Sequence, residues 1–525
     1  MENSKNRKAY IIGNGIAGLS AATFLIKDAG MKGCDIFILD TDSENGGSFD
    51  GQGMAEQGYL SRGYRMFEES IYLTTYDLLS NIPSFKNSQE TLKDDFFEFN
   101  KKIKVQAKAR LVKDGKIINP HLMELSWRDR LNLVKLLYLP EKFFGTAQIK
   151  NHFTTNFFKT NFWIEWSTTF AFEPWHSLIE MKRYLSRFVH VASQYASMTC
   201  VLSAPYCEHD FIILPLLKLL KEDGVHFKYN CAVKDLKFSS NKNKKVVTEI
   251  SFQNSKNSRI NVDESDLVFM TNGSMTADSS IGSMGKPPLP ITKKSKAWDL
   301  WKNIAHKFED FGNPSAFCSS IKKSKAESFT ITFNDPTFFK LVEKFTGNSA
   351  GTGGLITFKN SNWHLTIGLP HQPYFIDQPK NTFVCWGYGL LPDNFGNHIK
   401  KKMSDCSGRE ILEEICWHLG FNKEASQIIK SAICIPAMMP YITSQFLPRK
   451  RTDRPEVVPK GSKNFAFIGQ YVEISNEIVF TVECSVRSAK IAVKKLLNLA
   501  TKIPPLHQRK YNPKCLYKSI KTILR

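Results

Sequence analysis

Gly13, Gly15 and Gly18 stand at the spacing of a turn that seats a pyrophosphate, after the apolar run Tyr10-Ile11-Ile12 and before Ile16, Ala17 and Leu19. In such a turn the first glycine permits the bend and the second lets the backbone approach the phosphates. The third lets the following helix pack closely on the sheet while its N-terminal N–H groups face the anion. A second apolar run, Ile36 to Leu39, ends at Asp40, roughly 20 residues further on, where an acidic side chain accepts hydrogen bonds from an adenosine ribose. The unit predicts dinucleotide binding. Gly46-Gly47-Ser48-Phe49-Asp50-Gly51 follows, at the place where large flavoproteins make a second backbone contact to the cofactor; an ordinary loop would use the same glycines.

Two further stretches carry side chains able to move protons. Arg62-Gly63-Tyr64-Arg65-Met66-Phe67 runs into Glu68 and Glu69, and Glu173-Pro174-Trp175-His176 opens a helix with Glu180, Arg183, Tyr184 and Arg187. On that helix Glu180 and Tyr184 share a face, as do Arg183 and Arg187.

Positioning these residues requires several elements. Residues 96–198 turn aromatic and helical, with no strand alternation, and predict a helical cap or substrate insertion. Residues 199–279 return to the nucleotide sheet through a helix at Phe211 to Lys221, a two-strand excursion near Val233 and the apolar strand Leu267 to Met270. Residues 280–455 show strand patterns and one clear helix, Gly408 to Leu419, which reads as a mixed α+β substrate domain. The strand Asn464 to Ile468, ending at Gly469, and the helix Val482 to Leu497 close the nucleotide domain, so its pieces are 1–95, 199–279 and 456–500. The expected fold is α/β, a discontinuous FAD-binding Rossmann domain of the glutathione-reductase type with a cap and a substrate domain. Residues 501–525 form a basic amphipathic tail, with Leu516, Tyr517, Ile520, Ile523 and Leu524 on one helical face and Lys514, Lys518, Lys521 and Arg525 on another. It could lie on an anionic membrane, on a neighbouring subunit or on its own domain.

A chain of 525 residues with 42% hydrophobic and 23% charged residues can bury a large core. Its 71 basic and 50 acidic residues leave +21, which favours an anionic partner. The basic residues fall in short clusters (Lys242/Lys244/Lys245, Lys293/Lys294/Lys296, Lys400 to Lys402, Arg449 to Arg451), not in one aromatic-interleaved stripe, which disfavours nucleic acid. Eleven scattered cysteines without a C-x-x-C pair predict free thiols in a reducing compartment and no metal site. A polar N-terminus and the lack of a long apolar run point to a cytoplasmic protein, soluble or peripheral to a membrane.

Taken together, these strings resemble a known family. Phe162-Trp163, Thr168 to Phe172, Pro174-Trp175-His176-Ser177 and Glu180 to Tyr184 are similar to the oleate hydratases, formerly called myosin-cross-reactive antigens. So are Gly46 to Gly51, Gly469-Gln470-Tyr471-Val472-Glu473 and Val479-Phe480-Thr481-Val482-Glu483. The similarity spans nearly the whole chain. It implies a lyase that adds water across the cis double bond of an unsaturated long-chain fatty acid, oleate to 10-hydroxystearate in type, with FAD assisting without net redox change. By the same resemblance Gly13, Gly15, Ile16, Ala17, Gly18, Asp40, Gly47, Ser48, Arg62, Gly63, Val233, Gly469, Phe480, Thr481 and Val482 would contact the flavin. Tyr184 would donate the proton, and Trp175, His176, Glu208, His209, His371 and Gln372 would meet the substrate.

Three departures qualify the resemblance. The family's Arg-Gly-Gly-Arg-Glu-Met has a glutamate that orients water, and Met66 holds its place here; a thioether is no base, so Glu68, Glu69 or backbone groups would take over. Glu208 stands where the family has a glutamine beside the carboxylate end of the substrate, where it would repel an ionised fatty acid unless neutralised by His209 or a lysine. The stretch Gly368 to Tyr374 lacks most polar residues of another carboxylate-binding segment, leaving His371. The alternatives are a flavin-dependent fatty acid isomerase or desaturase, and a catalytically silent FAD- and lipid-binding protein, in either case a monomer or a homodimer.

Overall fold

The computed structural model describes residues 7–41, 46–239, 244–253, 258–290, 295–506 and 512–524. Of the residues singled out in the sequence, Lys242, Lys293, Lys294 and Arg525 lie outside these, as do the side chains of Lys514, Leu516, Ile520, Ile523 and Leu524.

Five short strands, all apolar but the last, form one parallel sheet in the order Phe465–Ile468, Leu267–Thr271, Ala9–Ile12, Ile36–Leu39 and His226–Lys228. The three central strands are almost wholly buried, as expected of a parallel sheet covered on both faces. The helix Ile16–Lys27 follows the glycine turn and packs against the helix Val482–Leu496. A three-stranded antiparallel excursion, which holds Val233 opposite Phe252, completes this part. The discontinuous Rossmann architecture is therefore present, closed by the strand at Phe465–Ile468.

A second, eight-stranded mixed sheet carries the other half of the molecule. Its strands Ala326–Phe333, Phe383–Gly389 and Ala432–Met439 are antiparallel neighbours. Alternation sends Phe329, Ile331, Phe333 and Cys385 into a core beneath the helices Thr337–Thr346 and Gly408–Leu419, and turns Ala326, Trp386, Tyr388 and Met439 toward the nucleotide domain. Two of its strands, Leu111–Lys113 and Lys116–Ile118, come from the segment expected to be purely helical. They were invisible as strands because they are only three residues long and gain their edge position by parallel pairing with the distant Leu355–Phe358.

The cap is built from the helices Trp127–Tyr138, Asn161–Phe170 and Leu178–Phe188. Its core is aromatic: Phe153 stacks on Phe157, and Phe170, Phe172 and Phe446 surround the ring of Tyr184. Lys182 donates from its ammonium to the carbonyls of Leu136 and Leu137, capping the end of one cap helix from the middle of another. The tail helix Pro513–Leu524 lies on the Val189–Gln194 turn of this cap, where the buried Ser519 hydroxyl donates to the Val189 carbonyl. No helix among the described residues is long and apolar enough to cross a membrane.

The close approach of helix to sheet depends on Gly18, where a Cβ would lie 2.0 Å from the Gly13 carbonyl oxygen. Gly18→Ala is expected to lower stability by about 2 kcal/mol, the scale of overpacking, read by chemical denaturation; an unchanged midpoint would show that the turn relaxes freely.

Candidate active site

The glycine turn passes the structural test for a dinucleotide. The helix Ile16–Lys27 begins at Gly15 with no side-chain cap and no acidic residue in its first turn, so its N-terminus is built to face an anion. Gly15 lies against the second glycine loop, where an added Cβ would meet Gly47 Cα at 3.9 Å and Gly46 oxygen at 4.0 Å and fill the cradle. Gly46 and Gly47 both have positive φ, at 98° and 61°. Asp40 ends its strand beside the turn, and its carboxylate accepts from the Asn14 N–H at 2.7 Å.

Arg62 and Arg65 clamp the second glycine loop from one side. Arg62 donates to the Asp50 carboxylate at 2.9 Å, the Gly47 carbonyl at 3.2 Å and the Thr276 carbonyl at 3.1 Å. Arg65 donates to the Ser48 carbonyl at 3.0 Å and lies over the Phe49 ring; Gly63 makes room for its guanidinium.

Next to this cradle is an apolar cavity of ≈ 160 Å³. One wall is the loop carrying Arg62, Arg65, Met66 and Glu68. A second is the cap, through Phe170, Tyr184, Phe188 and Tyr195, and a third is the large sheet, through Leu355, Trp386 and Tyr388. The last is Phe480, Thr481 and Val482, at the start of the helix Val482–Leu496. Gly469 lies behind it, its N–H donating to Ser488. Three non-glycine residues on the lining, Ala171, Met198 and Phe480, hold left-handed backbone at φ 58°, 54° and 66°. Such conformations persist only where the surroundings enforce them.

Tyr184 is fully enclosed, and its hydroxyl donates to the carbonyl of Val479, next to Phe480. Burial pushes the phenol well above its ordinary pKa, helped by Tyr72 and Glu180, so it is neutral and holds its proton. Glu68 reaches the same cavity. It accepts from the Ser70 N–H at 2.8 Å, from the Ser70 hydroxyl and from His190 Nε2 at 3.1 Å. Burial alone would raise its carboxyl, but His190 and Ser70 outweigh burial and the net shift is downward, leaving an oriented carboxylate. Glu69 is exposed and off the cavity, which corrects the expectation that it could serve equally. Met66 lines the cavity as an apolar contact.

The residues expected at the substrate lie off the lining of this cavity. Trp175 Nε1 donates to the Lys323 carbonyl at 2.8 Å. His176, which burial pushes down to about 3, accepts from the Glu173 N–H through Nδ1 at 2.9 Å. Both pin the cap to the segment that carries Lys323. Glu208 is buried behind the Arg65 backbone, whose N–H it accepts at 2.9 Å; burial pushes it up to about 7 against the pull of Arg65. His209 pairs with Asp210 at 3.3 Å. His371 meets the edge of Phe99, and the Gln372 amide is engaged by Pro370, Val384 and Gln378. None of these six is part of the cavity lining.

Behind Tyr184 lies a buried ion network that sequence reading missed apart from Glu180, Arg183 and Arg187. Glu180 pairs with Arg449 and Arg454, each at 3.0 Å, and Glu473 with Arg183 at 2.7 Å and Arg449 at 2.9 Å. Arg487 joins Glu477 and Glu483, each at 2.8 Å, and Glu483 accepts from the N–H groups of Thr74 and Thr75. Burial pushes the Glu473 carboxyl up, but Arg183, Arg449 and Arg454 bring it down to about 2. Burial and neighbouring Arg449 draw Arg454 to about 10 although Glu180 faces it, so it is still charged at neutral pH. The network fastens the cap helix to the segment that ends at Phe480.

The parallel sheet, its glycine turn and the aromatic-lined apolar cavity beside it define a Rossmann-type α/β fold with a helical cap and a second sheet. In fold the chain is similar to an oxidoreductase from Methanosarcina mazei (TM-score 0.51, 11% identity, 94% of this chain and 100% of that one). It is likewise similar to cyclohexylamine oxidase from Brevibacterium oxydans (TM-score 0.51, 11% identity, 94% and 99%). Residues 6–494 match the MCRA family, and the chain belongs to that family. It is 34% identical to oleate hydratase of Streptococcus pyogenes serotype M49 (strain NZ131), over 99% of this chain and 90% of that protein. It is 31% identical to linoleate hydratase of Lactiplantibacillus plantarum, over 92% of each.

The Glu473 shift has a defined sign. Its folded-state value lies below the ordinary 4.5, so its contribution is complete above about pH 4.5 and is lost as pH falls toward about 2. Glu473→Gln is expected to cost about 3 kcal/mol at neutral pH by stranding buried arginines, and to flatten the wild-type loss of thermal stability across that acid window. An unchanged neutral melting temperature would remove the network from any positioning role.

Proposed function

We propose that this protein is a FAD-dependent fatty acid hydratase that adds water across the cis double bond of an unsaturated long-chain fatty acid. The observation that carries the reading is that a neutral phenol, Tyr184, and an oriented carboxylate, Glu68, line one apolar cavity beside the dinucleotide cradle. The names of the two curated relatives support the reaction type and the substrate class.

FAD fits the cradle of Gly13, Gly15, Gly18, Asp40, Gly47 and Ser48, and when bound it supplies a polarisable, charge-bearing surface without net redox change. Arg62, Phe480, Thr481 and Val482 are its proposed contacts toward the cavity. Tyr184 gives its proton to one alkene carbon, the π pair forms the new C–H bond, and a water oxygen bonds to the other carbon. Because burial makes the phenolate a strong base, protonation must be concerted with water addition and the phenol must be recharged at once. Glu68 accepts a hydrogen bond from the attacking water, takes its proton and returns it to Tyr184, so the net change is addition of H and OH. The Tyr184–Val479 hydrogen bond must open for this, which ties proton release to the loop that bears Phe480. Met66 keeps the carbon chain company but takes no proton. We place the enzyme among soluble proteins that meet lipid surfaces peripherally.

Incubation of the flavin-loaded protein with oleate in H2-18O under reducing conditions tests the reading. Labelled hydroxystearate is expected; an unlabelled shifted double bond would make it an isomerase, and unchanged lipid a binding protein. Tyr184→Phe is expected to lower kcat at least about 100-fold, with flavin absorbance and fatty acid binding retained. Glu68→Gln is expected to lower kcat by a similar factor, and an undiminished rate would hand water orientation to backbone groups.

A further inference from the structure

The loop between Ser61 and Glu68 divides its side chains between two jobs. Arg62 and Arg65 reach the second glycine loop, whereas Tyr64, held between them, lines the main cavity where the loop meets the large sheet. Its ring is tilted against Trp386, with centroids 6.3 Å apart, and meets Tyr374 edge-on at 6.2 Å. Its Cδ1 faces Gly368, where an added Cβ would lie 3.9 Å from it. Leu355, which also borders Gly368, and Met198 behind it continue this wall as apolar surface.

Tyr64 is fixed at its hydroxyl and at both flanking peptides. The hydroxyl meets the Ser203 hydroxyl at 2.9 Å, and Asn100 holds Ser203 in turn, accepting from its N–H at 3.0 Å and donating to its carbonyl at 2.9 Å. Before Tyr64 the Gly63 carbonyl accepts from the Ser61 hydroxyl at 2.8 Å, and after it the Arg65 N–H donates to Glu208 at 2.9 Å. Beyond the ring the surroundings turn polar. The Glu208 carboxyl, which burial pushes up to about 7, and the buried Tyr374 hydroxyl lie there.

We infer that Tyr64 is the specificity-determining residue that ends the cavity and sets the longest acyl arm it accepts. A methylene chain pushed past the ring would break the bond to Ser203 and lay hydrocarbon on the buried Glu208 and Tyr374 groups, with nothing to replace the lost hydrogen bond. Because the ring is anchored at both ends of its reach, it cannot yield without moving the loop that carries Arg62 and Arg65. The inference takes its ligand from the proposed fatty acid reading, and its test reads binding, not turnover.

The test titrates the full-length, flavin-loaded protein calorimetrically with oleate and two longer homologues. One homologue has two methylenes added between the carboxylate and the cis double bond, the other has two added on the methyl side. Wild type is expected to bind one of the two at least about tenfold more weakly than oleate. Tyr64→Ala is expected to bring that homologue to within about threefold of oleate, and Tyr64→Phe, which keeps the ring, to retain the wild-type ratio. Tyr64→Leu shifts the ratio in the same direction as alanine and replaces it should the alanine variant lose its flavin. Wild type that binds all three acids alike, alanine and leucine variants that keep the wild-type ratio, or a phenylalanine variant that relaxes as far as alanine would overturn the stop at Tyr64. The expected ratios without any hydroxylated product would sink only the hydratase reading.

Discussion

The placement of one phenol depends on charges buried around it. Glu180, Arg183 and Arg187 on the cap helix meet Arg449, Arg454, Glu473 and Glu477 from the far end of the chain, Arg487 braces Glu477, and Tyr184 sits on that helix with its hydroxyl against Val479. Ion pairs of this kind add little net stability, since desolvation offsets their attraction. What they supply is registry. A shift of the cap by one helical step would leave several buried charges unpaired, so cap, cavity and Phe480 loop are held in a single arrangement.

On the proposed hydratase reading, that arrangement lets a weak acid and a weak base act together on an unactivated alkene. An isolated carbocation in an apolar cavity is prohibitively unstable, so proton delivery and water addition have to be synchronised within one enclosure. A phenol held neutral by burial and a carboxylate held ionised by His190 and Ser70 are unequal partners whose surroundings set their roles. The left-handed backbone at Ala171 and Phe480 lies on the rim of the same enclosure, where strain is tolerated because the packing around it is rigid.

Local patterns were legible in the sequence and remote ones were not. The glycine turn, the strand ending at Asp40 and the closing strand before Gly469 are written in consecutive residues, and each stands in the nucleotide sheet or its turn as read. Tyr184 came from a family resemblance, and no spacing would have singled it out from other tyrosines. The partners of Glu68 could not be read because His190 reaches it from a turn more than a hundred positions away. Trp175 and His176 lie in a distinctive string, and the hydrogen bonds their polar atoms make to Lys323 and Glu173 could not be read from it. The strands at 111–118 were hidden for the same reason as the ion network, since their pairing partner is far along the chain.

The most direct test is a crystal structure of the protein with FAD and oleate bound. The expected result is an isoalloxazine against Phe480 to Val482, with one alkene carbon within about 3.5 Å of the Tyr184 hydroxyl and a water between the other carbon and Glu68. An acyl chain lodged away from this cavity, or a Tyr184 hydroxyl still bonded to Val479 with the alkene out of reach, would contradict it.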